Sequence, residues 1–104
     1  MKRSRLLLSD AAIADILEQA EWYSVQSGEA LAHRWEKAVT SSVLRIMNRP
    51  AMGTLCTFKS VELRDVRRTT IPGFPKHLLF YKFQVEEILI LRVVHGARDL
   101  ERLL

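Results

Sequence analysis

The stretch Ile88–Leu100, ILILRVVHGARDL, decides the fold. All of its first seven residues except Arg92 are β-branched or leucine, with Glu86-Glu87 before the run and Gly96 after it. Such a run is too short and too branched for a helix and fits a strand buried on both faces. Side chains alternate along a strand, so an unbroken one places Ile88, Ile90, Arg92 and Val94 on one face and Leu89, Leu91, Val93 and His95 on the other. The second face is apolar up to its last residue, and the first carries one arginine at its middle. This is the expected central strand.

Upstream of it, HLLFYKFQV alternates between an apolar side (His77, Leu79, Tyr81, Phe83, Val85) and a mixed side (Leu78, Phe80, Lys82, Gln84). Val85-Glu86-Glu87 supplies the turn into the last strand. DVRRTTI, Asp65–Ile71, is a further strand that Pro72-Gly73-Phe74-Pro75 stops, which makes an antiparallel three-stranded meander. Residues 51–64 have no period and read as a loop. Before them lie two helices. Ser9 is a good N-cap with Asp10 at the positive helix end, and Ile13, Ile16, Leu17, Ala20 and Tyr23 form one apolar stripe. Gly28 frees the backbone for a helix end, and Leu31, Trp35, Ala38, Val39, Ser42 and Ile46 form the stripe of a second helix that Pro50 cannot continue. So short a connection makes an antiparallel helical hairpin whose stripe needs a sheet to bury it. Trp22, Tyr23 and Trp35 are read as the packing between hairpin and sheet, and Arg5–Leu8 as a short first strand. The fold class is therefore α+β, one domain over residues 1–104: strand, helix, helix, then the meander, with the hairpin on one face.

The chain has 104 residues, of which 48% are hydrophobic, enough for one core without staples. One cysteine, Cys56, excludes an internal disulfide and fits a reducing compartment. The start MKRSRLLLSDAA falls short of the roughly 7 to 15 apolar residues of a secretory signal core and the ~20 of a membrane span, so a cytoplasmic location without a membrane is expected. Net charge is +4, and between Val43 and Lys76 seven Lys or Arg face only Glu62 and Asp65. Two readings of that segment stand side by side, a solvated surface and a face for an acidic partner.

No paired cysteines, phosphate-cradling glycine loop or helical His pair occurs, so no metal and no cofactor is expected. What alternation does suggest is a basic group on the sheet, with Lys82, Arg92 and one of Arg67 or Arg68 sharing a face. Guanidinium forks there would suit phosphate or carboxylate; the competing reading pairs each cation locally with Glu62, Glu86 or Glu87. His95 is the one credible titrating group beside Arg92, and equally a residue that braces the turn at Gly96.

The phrase LRVVHGARDLERLL, with LLFYKF one hairpin earlier and LLLSDAAIADILEQAEWY at the start, resembles the ParE-like branch of the ParE/RelE toxin superfamily over nearly the whole chain. The resemblance implies the toxin of a type II toxin–antitoxin, or plasmid-stabilisation, module. Such a toxin is a non-enzymatic inhibitor of DNA gyrase, neutralised by a ParD-like antitoxin whose disordered acidic segment orders on binding. It also implies two alternatives: a RelE-like ribosome-dependent mRNA interferase, with Arg92 and His95 as catalytic residues and direct RNA contact, or an inactive relic that retains only its antitoxin. In the RelE branch a C-terminal tyrosine or histidine moves the proton, and the tail ARDLERLL offers neither. The partner-binding candidates are Arg64, Arg67, Arg68, Lys76, Lys82, Arg92 and Arg98.

Overall fold

A computed structural model describes residues 4–96 and 100–104; Arg98 lies outside them. Strand β1 (Arg5–Leu8) leads into helix α1 (Asp10–Ser27), where Ser9 caps the first turn by accepting from the Ala12 N–H at 3.0 Å. Gly28 stands between the helices with φ +95°, a conformation a side chain would strain, and α2 (Glu29–Asn48) starts at the next residue. After a 3-10 turn at Pro50–Met52 come the short β2 (Thr54–Leu55) and β3 (Arg67–Ile71), then β4 (Phe74–Gln84) and β5 (Glu87–His95). Glu86, in the turn before β5, has a positive φ of 66°.

The meander is as expected, but the sheet is larger. It has five strands in the order β1-β5-β4-β3-β2, with β1 running parallel to β5 and β2 added at the far edge. β4 also starts earlier than the alternating run suggested, at Phe74, leaving Pro72 and Gly73 as the turn.

The hairpin covers one face of this sheet. Trp35, Val39, Val43 and Ile46 of α2 and Ala12 of α1 pack with Ile71, Leu79, Tyr81, Ile88, Ile90 and Val93, each large side chain contributing roughly 1.5 to 3 kcal/mol. The Trp35 indole N–H donates to the Ile16 carbonyl at 3.1 Å, which ties the two helices together inside that core. Of the aromatic residues assigned to the packing, Trp35 is fully buried and Tyr23 half-buried, whereas Trp22 is 56% exposed, with its ring edge-to-face with that of Tyr23. Ile13 and Leu17, counted in the α1 stripe, are also largely exposed.

Simple alternation fails in β5, and the failure corrects the assignment of faces. Ile88 and Ile90 are fully buried against the helices while Leu89 and Leu91 are only partly buried; past that point Val93 is the buried residue. The pairing gives the reason: Phe80 lies opposite Arg92 and Tyr81 opposite Ile90, so β5 uses two residues, Leu91 and Arg92, where β4 uses one. One extra residue reverses the parity of everything after it. The helices use this irregularity. The Ser9 hydroxyl donates to the Leu91 carbonyl at 2.7 Å, and the Asp15 carboxylate accepts from the Val93 N–H at 2.9 Å.

On the other face Phe80 and Val66 are buried, and the Phe58 ring lies 6.3 Å from that of Phe80. The segment before β3 is held there by the terminal 3-10 turn Leu100–Leu103, where Glu101 accepts from the Lys59 and Ser60 N–H groups at 3.1 and 2.9 Å. No helix among the described residues is long and apolar enough to cross a membrane.

Candidate functional site

Arg92 is the residue around which a phosphate site would have to form, and its environment is already filled. Its Nε and Nη2 donate to the two carboxylate oxygens of Asp15, both at 2.8 Å, and Nη1 donates to the Leu103 carbonyl at 2.9 Å. Asp15 and Arg92 side chains are 10% and 23% exposed, so this is a shielded, two-pronged pair with little competing water. The carboxylate raises the guanidinium pKa further above its ordinary value, fixing the positive charge. Asp15 in turn holds the Val93 N–H left open at the bulge, so one carboxylate satisfies three donors.

His95 is exposed at the end of β5 and stands opposite His77, their rings 5.3 Å apart and nearly perpendicular. Past the bulge Arg92 pairs with Phe80 and His95 with His77, so the two leave opposite faces of the sheet. His77 is 5% exposed among Trp35, Tyr23 and Phe74, and its Nε2 has no hydrogen-bond partner among the described residues. Burial, and secondarily the neighbouring His95, lowers its pKa. Both histidines line an open cleft of about 770 Å³ between α1 and the start of β4, with Trp22, Tyr23, Glu18 and Lys76 on its walls.

Lys82 and Arg68 do share with Arg92 the face that carries Phe80, whereas Arg67 takes the other face. Arg67 faces the 3-10 turn after α2, donating to the Gly53 and Ala51 carbonyls at 2.8 and 3.3 Å and lying over the Phe83 ring. Lys82 donates to the Glu62 carbonyl. Arg68 shares a row with Phe80 and Arg92, but it stays exposed. Arg64, Arg68 and Lys76 are all exposed and make no side-chain hydrogen bond or ion pair among the described residues. The local pairing weighed from sequence named Glu62, Glu86 and Glu87; the acid that takes Arg92 is Asp15, from a helix 77 residues earlier. Tyr81 is the core phenol its strand position suggests. It is fully buried, donates to the Pro50 carbonyl at 2.7 Å and accepts from the Gly53 N–H at 2.9 Å, and burial raises its pKa. Among the described residues no cluster of His, Cys, Asp and Glu could hold a metal ion.

The sequence matches, over residues 6–100, the family model described as the ParE toxin of the type II toxin–antitoxin system, parDE. The chain belongs to the ParE toxin family. Among solved structures, that of a chromosomal ParDE toxin–antitoxin system from P. aeruginosa superposes on this ParE-family chain with a TM-score of 0.74 at 19% identity, covering 91% of this chain and 98% of that one. The isolated E. coli RelE toxin superposes with a TM-score of 0.54 at 13% identity, covering 97% and 99%. Identities this low report a shared fold alone. No curated protein matches the sequence.

Within the ParE family frame, the residues that sequence reasoning missed are Asp15 and His77. Asp15 looked like any acid on the polar side of α1, because nothing local announces a partner so far along the chain. His77 falls on the apolar side of its strand, and the signal for it in the sequence is the aromatic company it keeps there.

Proposed function

We propose that this chain is the toxin of a ParE/ParD-type module, that it acts on DNA gyrase by binding rather than by cleaving RNA, and that a ParD-like antitoxin neutralises it. Membership of the ParE family and the fold shared with a ParDE complex support the module. The observation that carries the choice of mechanism is Arg92. An acid–base ribonuclease needs a free cation to stabilise the crowded phosphate and a titrating group within reach of the transferred proton. Here the guanidinium is held by Asp15 and the Leu103 carbonyl, and His95 projects from the opposite face. A binding toxin requires no such pair. The exposed Arg64, Arg68 and Lys76 are the residues offered to an acidic antitoxin segment, and gyrase as the target places the protein in the cytoplasm.

The test compares two products. Purified protein, with or without ribosomes, is expected to leave messenger RNA intact. Its expression is expected to give gyrase-dependent DNA breaks that persist in a folded His95→Gln variant. Ribosome-dependent RNA cleavage that disappears in folded His95→Gln or Arg92→Ala protein would falsify the binding reading and transfer the chain to the RelE mechanism. A folded protein that binds its antitoxin but produces neither effect would refute toxicity itself.

A further inference from the structure

The two helices of the hairpin carry opposite charge. α1 has Asp10, Asp15, Glu18 and Glu21 and no Lys or Arg, whereas α2 carries Arg34, Lys37 and Arg45, with Arg49 at its C-cap. On α2 the residues Arg34, Lys37, Ser41, Arg45 and Asn48 recur at three- and four-residue intervals, so they form one stripe. All five are exposed, and the stripe lies on the side of the cylinder away from the buried Trp35, Val39, Val43 and Ile46. The acids of this helix, Glu29 and Glu36, fall on its flank. None of Arg34, Lys37, Arg45 and Arg49 makes an ion pair or side-chain hydrogen bond among the described residues. At 1.5 Å per residue the row from Arg34 to Arg45 is about 16 Å long, and Arg49 extends it to about 22 Å.

The geometry points to this outer face of α2 as a docking surface for the phosphate backbone of duplex DNA. A straight row of unpaired cations interleaved with a hydroxyl and an amide matches a regular polyanion, in which one strand offers a phosphate every ~3.4 Å of helix axis. An acidic peptide that orders as it binds requires apolar seats to offset the ordering cost. The stripe offers few: Leu44, 60% exposed, is the large apolar residue beside it. The contact is inferred to be independent of base sequence, because a row of exposed cations answers the regular charge of the strand, and it does not depend on the target proposed above.

Fluorescence anisotropy with a labelled duplex of about two helical turns and arbitrary sequence tests this. Four phosphate contacts predict a log–log salt slope between about −3 and −4, so raising salt from 50 to 200 mM should weaken binding on the order of 10²-fold. The full-length triple variant Arg34→Gln/Lys37→Gln/Arg45→Gln keeps good helix formers on a solvent face, and its thermal melt checks the fold. Its slope should fall to about −1 and its affinity at 50 mM by at least about tenfold. Lys76→Gln, a charge change outside the stripe, should alter the slope by no more than about one. Three results overturn the inference: no salt-sensitive binding by the wild-type chain, a folded triple variant with unchanged slope, or a loss in Lys76→Gln as large as in the triple variant. Poly-glutamate of equal charge displacing the duplex mole for mole would overturn it too, assigning the stripe to an acidic protein.

Discussion

Replacing Asp15 by alanine removes the acceptor of three hydrogen bonds at once: two from Arg92 and one from the Val93 N–H. An exposed ion pair contributes about 0 to 1 kcal/mol, whereas breaking a buried one costs about 3 to 5 kcal/mol. With side-chain exposures of 10% and 23%, the Asp15–Arg92 pair lies nearer the buried limit, though the arginine reaches some water. We therefore expect Asp15→Ala to cost about 3 kcal/mol, the opened bulge N–H included, since an unsatisfied buried donor alone costs about 1 to 3 kcal/mol. For a domain near 100 residues this lowers Tm by about 12 to 24 °C. Asp15→Asn keeps one acceptor oxygen and should lose roughly half as much. Calorimetry or urea unfolding on Asp15→Ala, Arg92→Ala and the double variant gives the coupling, expected at about 1 to 3 kcal/mol for groups in direct contact. An Asp15→Ala protein within about 0.5 kcal/mol of wild type, or additive single variants, would refute the claim that this pair fastens α1 to the sheet.

The parity reversal in β5 predicts that Ile90→Asp, which buries an unpaired charge against the helices, abolishes cooperative folding, while Leu91→Asp at the bulge gives a weakened but folded protein; circular dichroism melts separate the two. A Cβ at Gly53 would stand 2.6 Å from the Tyr81 hydroxyl oxygen and 2.9 Å from the Arg68 carbonyl oxygen, so Gly53→Ala should cost about 2 kcal/mol or more, and Tyr81→Phe about 1 to 3 kcal/mol from two unmet partners. His77 has its pKa lowered by burial, so the unfolded chain binds the proton more readily; stability should be complete above the free histidine value of about 6.5 and decline as pH falls below it. The urea midpoint should therefore drop between pH 7.5 and pH 5.5 in wild type and much less in His77→Phe, and an equal drop in both would remove His77 as the cause.

What could be read from the residues alone is what short-range physics sets. Ser9 and Gly28 mark helix ends because a hydroxyl can meet an orphan N–H and a glycine can adopt positive φ within their own turns. The alternation in His77–Gln84 survives because β4 pairs on both sides through the middle of the sheet, and it delivered Tyr81 to the core as expected. The tertiary structure decided the rest. β1 found its place beside β5 in parallel, and β2 closed the other edge, through backbone hydrogen bonds that any side chain permits. The bulge at Leu91–Arg92 leaves no mark in composition, yet it moved Ile88 and Ile90 into the core, on the face that Val93 shares. The sequence leaves open whether Arg92 is free or paired because charge type is local information, while its partner Asp15 is brought to it only when α1 docks on the bulge. A strand's pattern fixes which residues alternate; where the register slips, and which distant carboxylate fills the gap, depends on neighbours that exist only in the folded chain.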